Sequence, residues 1–209
     1  MTSITALVLA CSLKKSPAPS SSQLLGTQVL DALKQAGGTA GIDVAGDVVR
    51  VVDHDVHFGV STDEGDGDEW PSIRAKILAA DILVLATPIW MGQPASVSKL
   101  VLERLDAEVS ETDDEGRYLT HGKVAVVAVV GNEDGAHHTT AELFQALNDV
   151  GFTIAANAST YWVGEAMQAV DYNDHDETPE KTAGTTQMAA QYALHLANLL
   201  KQSSYPAQS

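Results

Sequence analysis

Between Cys11 and Ser22 the chain reads "CSLKKSPAPSSS", placing hydroxyls at Ser12, Ser20, Ser21 and Ser22 and amines at Lys14 and Lys15 just before a run with helical spacing. A phosphate monoester in such a loop would accept hydrogen bonds from hydroxyls and backbone N–H groups, and the field of the helix N-terminus would favour its charge. An ordinary helix cap is the competing reading, but it needs only one serine. Several hydroxyls in sequence favour the phosphate. There is no glycine-rich loop ending in a Walker lysine and no G-x-G-x-x-G, so neither a P-loop nucleotidase nor a dinucleotide-binding Rossmann unit is supported. Paired acids of the phospho-receiver kind are also missing from the end of the first strand.

Two further loops carry chemistry of another kind. "TPIWMGQPAS" (Thr87 to Ser96) sets Pro88, Ile89, Trp90, Met91 and Gly92 after a buried strand, where a flat heteroaromatic ring can lie against Ile89, Trp90 and Met91. Trp90 alone is equally a packing or interface residue. "GNEDGAHH" opens at Gly131 and reaches Gly135, and two glycines permit close backbone approach to a ring edge. His137 and His138 are adjacent, so on a helix they point in different directions. No carboxylate set accompanies them, and no metal is expected.

These loops need a scaffold, and the pattern of the chain supplies one. "ITALVLA", "DVVRVVD" (Asp47 to Asp53), "DILVLATP" (Asp81 to Pro88), "KVAVVAVVG" (Lys123 to Gly131) and a shorter "GFTIAANAS" read as strands. Helical spacing intervenes: Leu25, Val29, Leu33 and Ala36, ended by "GGTAG"; "EWPSIRAKILAA"; Val97 to Leu105; Leu143, Leu147 and Val150; and a last helix from Thr178 and Pro179 expected to bury Met188, Tyr192, Leu196 and Leu199. Five strands alternating with five helices demand a parallel sheet covered on both faces. The expected architecture is a three-layer, doubly wound α/β fold with strand order 2-1-3-4-5, formed by residues 1–209 as one domain. Ligands bind outside the carboxyl ends of such strands where the order reverses, and that point selects the three loops above.

Composition narrows the partners. Twelve basic and 28 acidic side chains leave a net charge of −16, which works against nucleic acid because phosphate contacts need clustered Lys and Arg. The acids gather in Ser61 to Trp70, Ser110 to Gly116 and Asp171 to Glu180, which read as solvated loops or, less simply, a docking face for a basic redox partner. A single cysteine, Cys11, excludes an internal disulfide and suits a reducing cytoplasm. At the strand end it reads as a small buried residue. No run approaches the roughly 20 apolar residues of a membrane span, so a cytoplasmic protein with no membrane partner is expected.

Together the loops resemble the flavodoxin-like, NAD(P)H-dependent FMN reductase family, including its quinone reductases. The resemblance rests on "CSLKKSPAPSSS", "TPIWMGQPASVSKLVLERLD" and "GKVAVVAVVGNEDGAHH", with "TYWVGEAM" (Thr160 to Met167) also similar to a segment of the group. It implies that Ser12, Lys14, Ser20, Ser21 and Ser22 surround an FMN phosphate. Pro88, Ile89, Trp90, Met91 and Gly92 would follow the isoalloxazine, with Gly131, Asn132, Glu133, Asp134 and Gly135 on its other edge. Trp90, Tyr161 and Trp162 would form an aromatic wall of the substrate pocket. The implied reaction is hydride transfer from NADPH or NADH through FMN to a quinone or another small oxidised acceptor, in a homodimer or homotetramer. No catalytic side chain is required, because the hydride chemistry is the cofactor's. The rivals are a flavodoxin-type electron carrier with protein partners, and a non-catalytic flavin-binding sensor on the same fold. The segments Val56 to Asp68, Ser110 to Gly122 and Gly164 to Thr178 read as additions able to build a substrate pocket or oligomer contacts.

Overall fold

Apolar runs with no polar face can only be central strands, and the computed structural model, which describes residues 3–166 and 168–207, places them there. β1 (Ser3–Ala10), β2 (Asp43–Arg50), β3 (Ile82–Trp90), β5 (Val124–Gly131) and β6 (Thr153–Val163) form a parallel sheet in the order β2-β1-β3-β5-β6. A two-residue β4 (Gln93–Pro94) folds back antiparallel on the end of β3. Without that short return, the order is the one expected from the sequence. Alternate strand residues enter two separate cores. Val8, Val84 and Val126 pack under α1 (Ser21–Ala40) and α5 (Glu180–Gln202). Leu9, Leu85 and Val127 pack under α2 (Trp70–Ala79), α3 (Ser96–Leu105) and α4 (Ala136–Asp149). Each large apolar side chain buried this way contributes about 1.5–3 kcal/mol.

Several boundaries differ from the sequence reading, each for a physical reason. β2 lies four residues earlier than expected, at Asp43 to Arg50, because as an edge strand it carries polar residues on its outer side; Val51–Asp53 turns away as a short 3-10 helix. "GGTAG" ends α1 as expected, but only at its last glycine. Gly37 lies inside it, where a Cβ would stand 2.5 Å from Val44 Cγ2, and the helix stops at Gly41 with φ 69°. The fifth principal strand, β6, is the longest rather than a short one, with 11 residues. It pairs with β5 in two stretches separated by a bulge, so that Ala125 faces Ile154 while Val127 faces Ser159. The second stretch carries Tyr161 and Trp162 to the sheet's carboxyl edge.

The α5 face was misassigned. Its buried side is Thr182, Thr186, Ala189, Ala190, Ala193, Leu194 and Ala197, while Met188, Tyr192 and Leu199 are exposed and Leu196 is half-buried. Small residues let the helix lie close to the sheet and to α1, and size was mistaken for burial.

The polar insertion after β2 is fastened to the α2–α3 side. The fully buried Arg104 of α3 meets Asp68 at 2.8 Å and donates to the carbonyls of His57 and Ser61, both at 2.9 Å. Burial alone would raise the Asp68 pKa. Hydrogen bonds from the Glu64 N–H, Arg104 and the Trp70 and His57 N–H groups outweigh it and hold the carboxyl well below the usual carboxylate range. This insertion therefore serves the fold of its own layer.

Candidate functional site

The three loops chosen by the switch-point rule meet over the carboxyl ends of β1, β3 and β5 around a cavity of about 510 Å³. That is within the roughly 300–1,000 Å³ typical of small-molecule sites. One end is hydroxylic, lined by Ser12, Lys14, Ser20, Ser21 and Ser22. The other is flat and apolar, lined by Pro88, Ile89, Trp90, Val130 and Trp162. Gly131, Asn132 and Glu133 add a polar section to the lining.

The hydroxylic end divides its labour. Ser20 is the N-cap of α1, its Oγ accepting from the Gln23 N–H at 3.2 Å, so the simple capping role is filled by this residue. Ser22 Oγ lies 3.1 Å from Ser20 Oγ, and Ser12 Oγ accepts from the Lys14 N–H at 3.1 Å. Ser12 and Ser22 are 4% and 2% exposed, and Lys14 is exposed. Behind the loop, Arg50 Nη1 donates to the carbonyls of Ala18 at 2.7 Å and Lys14 at 3.2 Å, while its Nε donates to Gln23 Oε1 at 2.6 Å. Asp53 accepts from the Ser16 N–H at 2.8 Å and the Ser16 hydroxyl at 2.6 Å. These bonds, the hydroxyl's first, hold the Asp53 carboxyl below its usual range. Arg50 and Asp53 were missed in the sequence reading; opposite charges three residues apart, at the end of β2 and in the turn after it, were the available signal.

The ring end is locked by its own groups. Trp90 is 54% exposed at the mouth, and the turn after it has φ 54° at Met91 and φ 74° at Gly92, the conformation that lets a two-residue turn follow strand twist. The amides of Met91 and Gly92, expected along a ring edge, donate instead to the Glu133 carboxylate at 2.9 and 3.0 Å. Gly135, with φ 126°, comes so close to Gly92 that a Cβ would sit 2.7 Å from its Cα. A Cβ on Gly131 would stand 2.9 Å from that of Ile89. Both glycines thus serve contact between loops. Asp134 turns back onto the Gly135 N–H at 2.7 Å. Met91, Gly92, Asp134 and Gly135 support the cavity from outside its lining.

The aromatic wall is smaller than expected. Trp162 lines the cavity, its ring 5.6 Å from that of Tyr172 and 5.2 Å from that of His175. Tyr161, next to it on the strand, points the other way and stacks edge-on against His137 at 5.2 Å. His138 meets Glu142 at 2.9 Å, apart from His137's partner. Of the three added segments, Gly164 to Thr178 reaches the cavity, through Ala166, Gln168, Asp171 and Asn173. Met167, the end of the "TYWVGEAM" stretch, lies outside the described residues. Asn132 Nδ2 donates to Asp171 at 2.8 Å, and its Oδ1 is shielded from solvent without a hydrogen-bond partner. Cys11, beneath the site, is fully buried. Burial pushes its thiol up to about 12, against a smaller opposing hydrogen bond with Ser98.

Residues 4–168 match the family described as NADPH-dependent FMN reductase. The chain belongs to that family. As an FMN reductase family member it is a flavin-dependent oxidoreductase, with FMN and a reduced nicotinamide nucleotide as cofactors. The divalent metal cation transporter MntH of Mycobacterium bovis (strain ATCC BAA-935 / AF2122/97) is 34% identical over 205 residues, covering 95% of this chain and 29% of the transporter. The family member thus spans less than a third of that relative. Among its described residues no helix is long and apolar enough to cross a membrane, and no group of three or more His, Cys, Asp or Glu is placed to hold a metal. The 8-demethyl-8-aminoriboflavin-5'-phosphate synthase of Streptomyces davaonensis (strain DSM 101723 / JCM 4913 / KCC S-0913 / 768) is 31% identical over 212 residues, covering 97% of this chain and 80% of the synthase. The structure of RosB with bound intermediate 8-demethyl-8-formylriboflavin-5'-phosphate superposes with a TM-score of 0.84 at 31% identity, over 97% of this chain and 82% of that one.

Proposed function

We propose that the chain passes hydride from NADPH or NADH, by way of FMN held in this cavity, to a small oxidised acceptor of the quinone class. The observation that carries the reading is one cavity joining buried hydroxyls at a helix N-terminus to a flat apolar end. The residues fit FMN in two respects. Ser12, Ser22 and the first turn of α1 would hold its phosphate, with exposed Lys14 free to swing over it. Ile89, Trp90 and Trp162 would flank the isoalloxazine.

When bound, FMN supplies the hydride acceptor and donor chemistry. The chain's own part is to orient and shield. Glu133 fixes the Met91–Gly92 turn, and that turn positions Trp90 at the cavity mouth. Burial of Ile89 and Val130 keeps water from the inner face. The test is a visible spectrum of the purified chain followed by anaerobic addition of each nicotinamide cofactor. Bleaching of a yellow protein and its reoxidation by a quinone support the reading. A colourless protein that takes up no FMN overturns it, and a yellow protein bleached by neither nucleotide points to the electron carrier.

The 31% identity to the synthase, over 97% of this chain, favours one second reading: a riboflavin phosphate could be substrate rather than cofactor. Mass spectrometry of the flavin recovered after repeated turnover separates the two. An unchanged mass supports the cofactor role, and an altered one the substrate role.

A further inference from the structure

From Val124 to Glu180 the chain holds ten acidic residues and no Lys or Arg. This stretch supplies nearly half of the residues around the flavin cavity, including both carboxylates of its lining, Glu133 and Asp171. Each is fixed by uncharged donors: Glu133 by the Met91 and Gly92 N–H groups, and Asp171 by Asn132 Nδ2. Such donors orient a carboxylate and leave its charge uncancelled. More acid stands exposed next to the lining. Glu165 precedes Ala166, and Asp174 and Asp176 flank His175, whose ring lies 5.2 Å from that of Trp162.

Cations are placed elsewhere. Among the described residues, Lys14 is the one basic side chain in the lining, and it belongs to the hydroxylic end with the FMN phosphate as its proposed partner. Arg50 is engaged behind the first loop. Lys15 and Lys181 lie outside the lining, and Lys123 donates to the carbonyls of Leu78 and Ala80 at 2.6 and 2.9 Å.

We propose that the ring end selects its acceptor by charge, taking neutral and cationic quinones and rejecting those with an anionic group beside the ring. This rests on the flavin reading and names the substrate class within it. Exposed acids alone would serve solubility, whereas the two carboxylates inside the lining aim their field at a ligand. Between apolar walls that field is focused where an acceptor must lie, and the chain's net charge of −16 depletes anions at the mouth. Trp90, exposed at the mouth, adds an indole face that attracts a cation. A sulfonate or carboxylate beside a quinone ring would find no Lys or Arg there to receive it. The nicotinamide nucleotide is less affected, because its reacting ring is uncharged and its phosphates lie many bonds away.

The test is equilibrium binding to the oxidised, FMN-loaded chain, with no reductant and no turnover. Three 1,4-naphthoquinones are titrated against tryptophan fluorescence at pH 8, where free imidazole is uncharged: the unsubstituted compound, a trimethylammoniomethyl derivative and a sulfomethyl derivative. At low salt the cationic compound should bind at least about 30-fold more tightly than the anionic one, with the neutral compound between them. Raising the salt to about 0.5 M should shrink that ratio at least about 3-fold, because the exposed charges are screened. Glu165→Lys with Asp176→Lys, both exposed and outside the lining, should narrow the low-salt ratio at least about 5-fold, with FMN retention and neutral-quinone affinity unchanged. Equal affinities for the charged pair, tighter binding of the anion, or a ratio that ignores both salt and the two substitutions would overturn the proposal and leave the flavin reading standing. A chain that takes up no FMN overturns both.

Discussion

The two ends of the cavity are held in opposite ways. At the hydroxylic end, clamps from the end of β2 and the turn after it hold the loop from behind: Arg50 grips carbonyls, Asp53 grips Ser16, and Ser12 and Ser22 are left facing the cavity. At the ring end, the loops hold each other. Glu133 occupies the turn amides, and Gly135 lies against Gly92. The first arrangement presents fixed donors to a charged group and can exchange that group without moving. The second presents a shaped apolar surface whose backbone polarity is already satisfied, and it gains specificity through form. A ligand with a phosphate at one end and a flat ring at the other uses both.

The largest way to break this contrast acts on the hydroxylic end. Ser12→Asp with Ser22→Asp sets two carboxylates against the phosphate and should weaken FMN about 1,000-fold, or roughly 4 kcal/mol, in a fluorescence titration. Ser20→Ala should instead cost about 1 kcal/mol of folding stability as a lost cap, with flavin still bound. Gly135→Ala comes next. It forces a Cβ into the Gly92 backbone at φ 126° and should cost about 3 kcal/mol in urea unfolding, because neither loop can retreat.

Glu133→Gln leaves one carbonyl oxygen where a carboxylate accepted two N–H groups. It should cost about 1–2 kcal/mol and sharpen amide exchange at Met91 and Gly92 before it weakens FMN. The smallest effect is acid loosening of the first loop. Because the folded Asp53 pKa is depressed, its stabilisation is complete above the unfolded value of about 3.9 and is lost as pH falls through the folded value. Exchange at the Ser16 amide should therefore open below about pH 4, while Asp53→Asn should open it at neutral pH.

How much of this was legible depended on which force set each feature. The central strands and their order were readable, because burial on both faces leaves an unbroken apolar run such as "DILVLATP". So were the three loops, which follow those strands. Features set by a neighbour's proximity were not. The Ala189–Ala193–Ala197 side of α5 looked weaker than the Met188–Tyr192–Leu199 side until packing distance decided between them. Polar edge residues hid the start of β2. Gly131 and Gly135 were read as openings for a ligand, although their missing side chains admit Ile89 and Gly92. The partners of Glu133 and Arg50 lie 41–42 and 27–36 residues away in sequence, a pairing that no local pattern announces.

The partition of the cavity is tested most directly by titrating flavin-free protein with FMN and with riboflavin, which differ by the phosphate alone. The account gives FMN an advantage of about 100-fold, carried by charge-assisted hydrogen bonds at Ser12, Ser22 and the α1 terminus, and abolished in the Ser12→Asp, Ser22→Asp variant. Equal affinities in the wild-type chain would contradict it.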